Sequence, residues 1–191
     1  ALLDGTWENK VEGNHISSNF GDGVLLAGNA PHDNYFDANL IGTDQLGLAA
    51  MPNYGHGVSI ASVANDNYFK RNTMSGNAQC GVAILGQGCD RNVFQENYVG
   101  VDAGLTVPIA NGASGFFIRG SENIVGGATP IEMNYICANT GWGVLVQGIF
   151  GSAAAMKNEI IGNTIGMSGL GNARGGVFLD SGAIENFVGG H

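Results

Sequence analysis

Basic side chains are scarce in this 191-residue chain: seven Lys plus Arg stand against sixteen Asp plus Glu, a formal charge of -9. That balance repels a phosphate backbone and leaves no basic stripe to overcome the repulsion, which excludes nucleic acid as a partner. Charge of either sign is thin, at 12% of residues, while 44% are hydrophobic, the reverse of the composition that keeps a chain disordered. Only four prolines occur and glycine follows no three-residue period, so collagen-like structure is excluded. No apolar run approaches the roughly 18 residues that a membrane-spanning helix requires, so membrane insertion is not expected. The three cysteines, Cys80, Cys89 and Cys137, form no CxxC pair, and an odd number cannot close a disulfide framework. The chain opens on Ala1-Leu2-Leu3-Asp4 without the basic and apolar regions of a leader, so a secretion signal is expected to lie outside it. The length suits one domain, residues 1–191.

Glycine, at 33 residues, and asparagine, at 21, are abundant instead, a pairing that calls for a search for internal repeats. A repeat is present. One copy reads Asn34-Tyr35-Phe36-Asp37-Ala38-Asn39-Leu40-Ile41, a turn, then Gly57-Val58-Ser59-Ile60; the next reads Asn67-Tyr68-Phe69-Lys70-Arg71-Asn72-Thr73-Met74, a turn, then Gly81-Val82-Ala83-Ile84. The leading Asn recurs at 9, 34, 67, 92, 123, 158 and 186, about every 30 residues. The copy that starts at Asn123 carries an insertion after Val125-Gly126-Gly127 and resumes at Asn134-Tyr135-Ile136.

Each copy holds three short alternating segments, the period of strands and too short for helices. One trio cannot bury its apolar side alone, but stacked copies form a continuous core. The fold expected is all-β: a single-stranded right-handed parallel β-helix, a solenoid of about six rungs with three short strands each. Its inward columns are Val11, Phe36, Phe69, Phe94 and Ile160; Ile16, Ile41, Met74, Val99, Ile136 and Ile165; and Val24, Val58, Val82, Phe116, Val144 and Val177. Rungs ~4.8 Å apart make a rod of roughly 29 Å. The turn after the second strand alternates in length, with Ile41 to Gly57 and Val99 to Gly115 the longest. Counting forward from the second inward residue aligns Asn19, Asp44, Asn77, Asp102 and Asn139 as one column. Ala1-Leu2-Leu3-Asp4 matches Val177-Phe178-Leu179-Asp180, so the chain is expected to be a segment of a longer rod or a unit that stacks end to end.

The repeat, with Ile41-Gly42-Thr43-Asp44, the Gly-Val-x-Ile strands and the Asn123-Ile124-Val125-Gly126-Gly127 turn, resembles the right-handed parallel β-helix repeats of large bacterial secreted and surface proteins. More distantly it is similar to the pectin-lyase-like superfamily. The resemblance implies the fold and an extracellular or cell-surface location. That superfamily spans lyases, hydrolases, epimerases, adhesins and tailspikes, so it implies no single chemistry.

Asparagine at strand corners tolerates left-handed backbone and can bond the Asn of the next rung, so the Asn columns are expected to be structural ladders. The chemistry-bearing candidates precede the first strand: His32-Asp33, Asn65-Asp66 and Asp90-Arg91 on consecutive rungs. Asp33, Asp66 and Asp90 offer the oxygen ligands calcium prefers, and Arg91 suits the carboxylate of a bound uronate. Tyr35 and Tyr68 point outward on adjacent rungs, placed to stack on sugar rings. Gly55-His56-Gly57-Val58-Ser59-Ile60 resembles the Gly-His-Gly-x-Ser-Ile stretch of polygalacturonases and makes His56 a catalytic candidate beside Asp33, Asp66, Asp90 and Arg91. No upstream Asp-Asp pair accompanies it, and an inverting hydrolase needs two carboxyls flanking its bond. Pro31-His32-Asp33 is similar to part of an alginate epimerase motif but lacks its leading Asp.

Two functional readings follow. The first is a structural or binding module of an extracellular bacterial protein, of adhesin or matrix type, with a polysaccharide or cell-surface glycan as ligand. The alternative is a polysaccharide-acting enzyme, a calcium-dependent lyase or a uronate epimerase, for which seven basic residues spread over six rungs supply little. The outward third-strand positions Leu25, Ser59, Ala83, Phe117, Leu145 and Phe178 are apolar for a solvent face and suggest self-association, sideways or by stacking.

Overall fold

A computed structural model describes residues 1–148 and 155–190. Among them every strand pairs in parallel with the equivalent strand of the next copy, so the chain is a parallel β-helix with three sheets. The first-strand sheet contains Lys10–Glu12, Tyr35–Asp37, Tyr68–Lys70, Val93–Gln95, Ile124–Gly126, Glu159–Ile161 and Phe187–Gly189. After two residues, or eight in the copy that carries the insertion, the second-strand sheet contains His15–Ile16, Leu40–Ile41, Thr73–Met74, Tyr98–Val99, Tyr135–Ile136 and Thr164–Ile165. The third-strand sheet runs from Leu2–Leu3 through Val24–Ala27, Val58–Ile60, Val82–Ile84, Phe116–Ile118 and Trp142–Gln147 to Gly175–Asp180. No helix among the described residues is long and apolar enough to cross a membrane.

Register follows the columns read from sequence. Phe36 lies beside Phe69, and Phe69 beside Phe94. Their rings stack at centroid separations of 4.5 and 4.7 Å, nearly parallel, and all three are buried. Phe116 from the third-strand sheet meets Phe94 edge-on at 5.2 Å, tying two sheets across the core. The remaining inward positions, Ile41, Met74, Val99, Ile136, Val58, Val82 and Val144, are fully buried in the same cluster, with Val11, Ile16, Ile165 and Val177 packed against it.

Most corners are built by a left-handed residue followed by Asn, the exceptions being Asn53, Asn111, Asn134 and Asn172. At the corner before the first strand the left-handed residues include Asp33, Asp66, Arg91, Glu122 and Lys157, with φ between 52° and 56°. Most Asn Oδ1 atoms accept both the backbone N–H and the side-chain amide of the Asn one rung away: Asn39 donates to Asn72 Oδ1 at 3.0 and 2.9 Å, and Asn72 to Asn97 Oδ1 at 2.9 and 3.1 Å. Three such ladders run the length of the rod. They begin Asn9-Asn34-Asn67, Asn14-Asn39-Asn72 and Asn19-Asn53-Asn77. The ladders use all but Asn29 and Asn65 of the chain's asparagines, so nearly all of this abundance is structural.

The third ladder corrects the column counted forward from sequence. The long turns place Asn53 and Asn111, not Asp44 and Asp102, on the axis. Asp44 instead accepts the N–H groups of Leu48 and Ala49, and Asp102 those of Gly104, Thr106 and Val107, so each carboxylate closes its own turn. Gly23, Gly57, Gly81, Gly115 and Gly143 serve close approach: a Cβ on Gly57 would lie 2.6 Å from the Gly81 carbonyl and 2.7 Å from the Asn77 amide.

The outward third-strand stripe is interrupted. Ser59 and Ala83 are buried, and Leu25, Phe117 and Leu145 are half-buried, with Arg119 lying 4.9 Å over the Phe117 ring. Phe178 remains 39% exposed, one face covered by Trp142.

Candidate functional site

The acidic corner resolves into separate, locally occupied groups. Asp33 and Asp66 hold equivalent places one residue before Asn34 and Asn67, but the third such place belongs to Arg91, and Asp90 lies one residue further back. Arg91 grips both oxygens of Asp66, at 2.8 and 2.7 Å. Asp90 accepts the Ser121 N–H at 2.8 Å, and Asp33 meets His32 Nδ1 at 2.9 Å. Among the described residues no group of three His, Cys, Asp or Glu side chains is placed to hold a metal ion. The guanidinium assigned to a uronate is thus engaged by a carboxylate of the chain itself.

His56 is fixed by backbone. Its N–H donates to Asp22 Oδ1 at 2.7 Å, and its ring Nδ1 accepts the Cys80 N–H at 3.2 Å. Burial lowers its pKa, and the Asp22 charge only partly restores it. With the folded pKa below the unfolded value of about 6.5, the unfolded chain takes up the proton first as pH falls. The stability contributed by neutral His56 is therefore complete above that value and is lost as pH drops through it. We expect the thermal midpoint to fall from pH 7 to pH 5, with a shallower slope in His56→Gln; identical slopes would refute the assignment. The three thiols are free and buried, and burial pushes Cys80 up to about 11, which suits packing and not nucleophilic attack.

Tyr35 and Tyr68 do form a surface feature, in a manner parity alone does not reveal. The rings are 46% and 37% exposed and stack on one another, centroids 4.9 Å apart and planes within 8°. Each covers one face of the other, so they present hydroxyl-bearing edges to solvent rather than a broad aromatic platform. Burial raises the Tyr68 pKa first, and Tyr35, Asp33 and Asp66 add to the effect, so its phenol stays protonated and able to donate.

These tyrosines wall a groove of about 440 Å³ on the first-strand sheet, with Lys10, Glu12, Asp37, Lys70, Val93 and Gln95 as its other outward residues. Sequence reading passed over Glu12, Asp37, Lys70 and Gln95. Their signal was present: each stands three residues after a ladder Asn and, by alternation, on the same side as the tyrosines. The groove combines donors, acceptors and aromatic edges on a rigid sheet.

Compared with known proteins, the chain matches no family model, no curated sequence and no solved structure.

Proposed function

We propose that the chain is a glycan-binding module of an extracellular or surface protein, on a right-handed β-helix of the pectin-lyase-like kind, and that the glycan lies on the first-strand sheet. The single observation that carries this reading is the groove of about 440 Å³ walled by the stacked, exposed pair Tyr35 and Tyr68. Sugars present hydroxyls that both donate and accept, which tyrosine edges, Lys10, Glu12 and Gln95 can match, and C–H faces that suit aromatic carbon. A peptide is a poorer fit across most of the groove, because the N–H and C=O groups of Tyr35–Asp37 and Tyr68–Lys70 are engaged by neighbouring rungs on both sides, leaving Lys10–Glu12 at the groove's end as the strand with a free edge. A binding role is favoured over catalysis by what the catalytic candidates do: Asp66 and Arg91 hold each other, and His56 holds the Cys80 backbone.

The test is calorimetric titration with a panel of neutral and uronate oligosaccharides. Binding is expected for at least one, and Tyr68→Ala is expected to weaken it at least tenfold, since loss of one stacked aromatic anchor typically costs about 1–2 kcal/mol or more. Absence of heat across the panel would overturn the reading.

A further inference from the structure

A second groove, of about 380 Å³, opens beyond the corner between the first- and second-strand sheets. Its floor repeats the first in kind: Tyr98 and Tyr135, outward on adjacent rungs, stack at 5.5 Å with planes within 5°. Its far wall is the insertion of the copy that begins at Asn123, a 3-10 turn over Pro130–Glu132 that leaves Ile131 70% exposed. Glu132 pins the turn by accepting the Thr129 N–H and hydroxyl, both at 2.8 Å. It also accepts from Gln95, at 3.4 Å, so a residue of the first groove braces the wall of the second.

The grooves share one corner. Lys70 and Gln95 line the first, and their chain neighbours Arg71 and Glu96 line the second. At that corner each cation is matched across a rung: Arg71 holds both oxygens of Asp37, and Lys70 lies 2.9 Å from Glu96. Such solvent-accessible pairs add little to stability. Arg71 and Glu96 sit in left-handed backbone, φ 55° and 57°, as Ala38 does at the same turn position.

We propose that the two grooves form one continuous track for an elongated, uncharged glycan that crosses the corner formed by Asp37, Lys70, Arg71 and Glu96. The inference rests on the first groove being a glycan site and extends it in length and in charge. A carboxylated or sulfated sugar finds no unmatched cation at the corner and meets Asp37 and Glu96 there, whereas neutral hydroxyls bond to both members of each pair. The phenols agree: Tyr98, like Tyr68, has its pKa raised, by burial first and then by Tyr135 and Glu96, and so remains a neutral donor.

The experiment is calorimetry with neutral gluco-, manno- and galacto-configured disaccharides and hexasaccharides, alongside oligouronates of equal lengths. A neutral hexasaccharide should bind at least tenfold tighter than its disaccharide, because the second contact becomes intramolecular. Tyr135→Ala should erase that gain and leave disaccharide binding intact, while Tyr68→Ala should weaken both. Should Tyr135→Ala fail to fold, Ile131→Asp on the exposed turn should cut the gain instead. Equal affinity for both lengths, or a gain that survives these variants, overturns the track and spares the first groove. Tighter binding of oligouronates overturns the charge assignment. No binding by any member overturns the track together with the reading beneath it.

Discussion

Phe69→Ala should destabilise the fold by about 3–5 kcal/mol, the range for deleting a buried aromatic whose cavity the surroundings cannot fill. The site has little scope to collapse. Phe69 is 1% exposed and lies between Phe36 and Phe94, each stacked on it within 4.7 Å. Those neighbours are held at rung spacing by ladders on both sides, so they cannot close the gap without stretching hydrogen bonds. Urea denaturation of wild type and variant measures the effect through the shift in midpoint at unchanged slope. A loss under about 1 kcal/mol would mean that the column does not carry the core.

Asn72→Ala should cost a comparable amount, on the order of 3–5 kcal/mol, through polar groups left stranded and not through lost volume. Asn72 accepts the Asn39 N–H and amide, donates to the Phe36 carbonyl at 2.9 Å, and donates to Asn97 Oδ1. Truncation leaves these partners short of bonds in a site with no exposure, and each buried unsatisfied group costs about 1–3 kcal/mol. Because Asn72 and Asn97 share bonds, the double variant should lose less than the sum of the singles, which a double-mutant cycle measures. Strict additivity would show that the ladder is not a connected network.

The core columns and the first two Asn ladders were legible because they depend on local alternation and a repeated spacing. Phe36, Phe69 and Phe94 occupy one phase of the repeat, and nothing about distant chain reversal had to be guessed. The third ladder was misread because the long turns insert residues between the second strand and the corner; counting back four residues from Gly57 and Gly115 finds Asn53 and Asn111. Outward placement of Tyr35 and Tyr68 followed from parity, but their mutual stacking depends on side-chain rotation, which parity does not encode. The same holds for the pairs Arg91 with Asp66 and Arg71 with Asp37, which join residues 25 and 34 positions apart. The second groove was hidden for another reason: its wall is an insertion, the part of a repeat that carries no repeat signal.

The ladders also determine what the chain can tolerate by way of change. Successive rungs meet through contacts 24 to 37 residues apart in the three Asn ladders, so lengthening a turn alters the closure of one loop only. Closure entropy grows with the logarithm of length, and going from the shorter spacing to the longer costs only about 0.4 kcal/mol. The scaffold therefore behaves like a rack with fixed shelves: segments such as 44–49, 102–107 and 128–133, which lie outside the ladders, can be exchanged, lengthened or grafted while the core and corners stay in register. New binding specificities can arise on this rod by loop replacement alone, with a thermodynamic penalty smaller than that of a single core substitution.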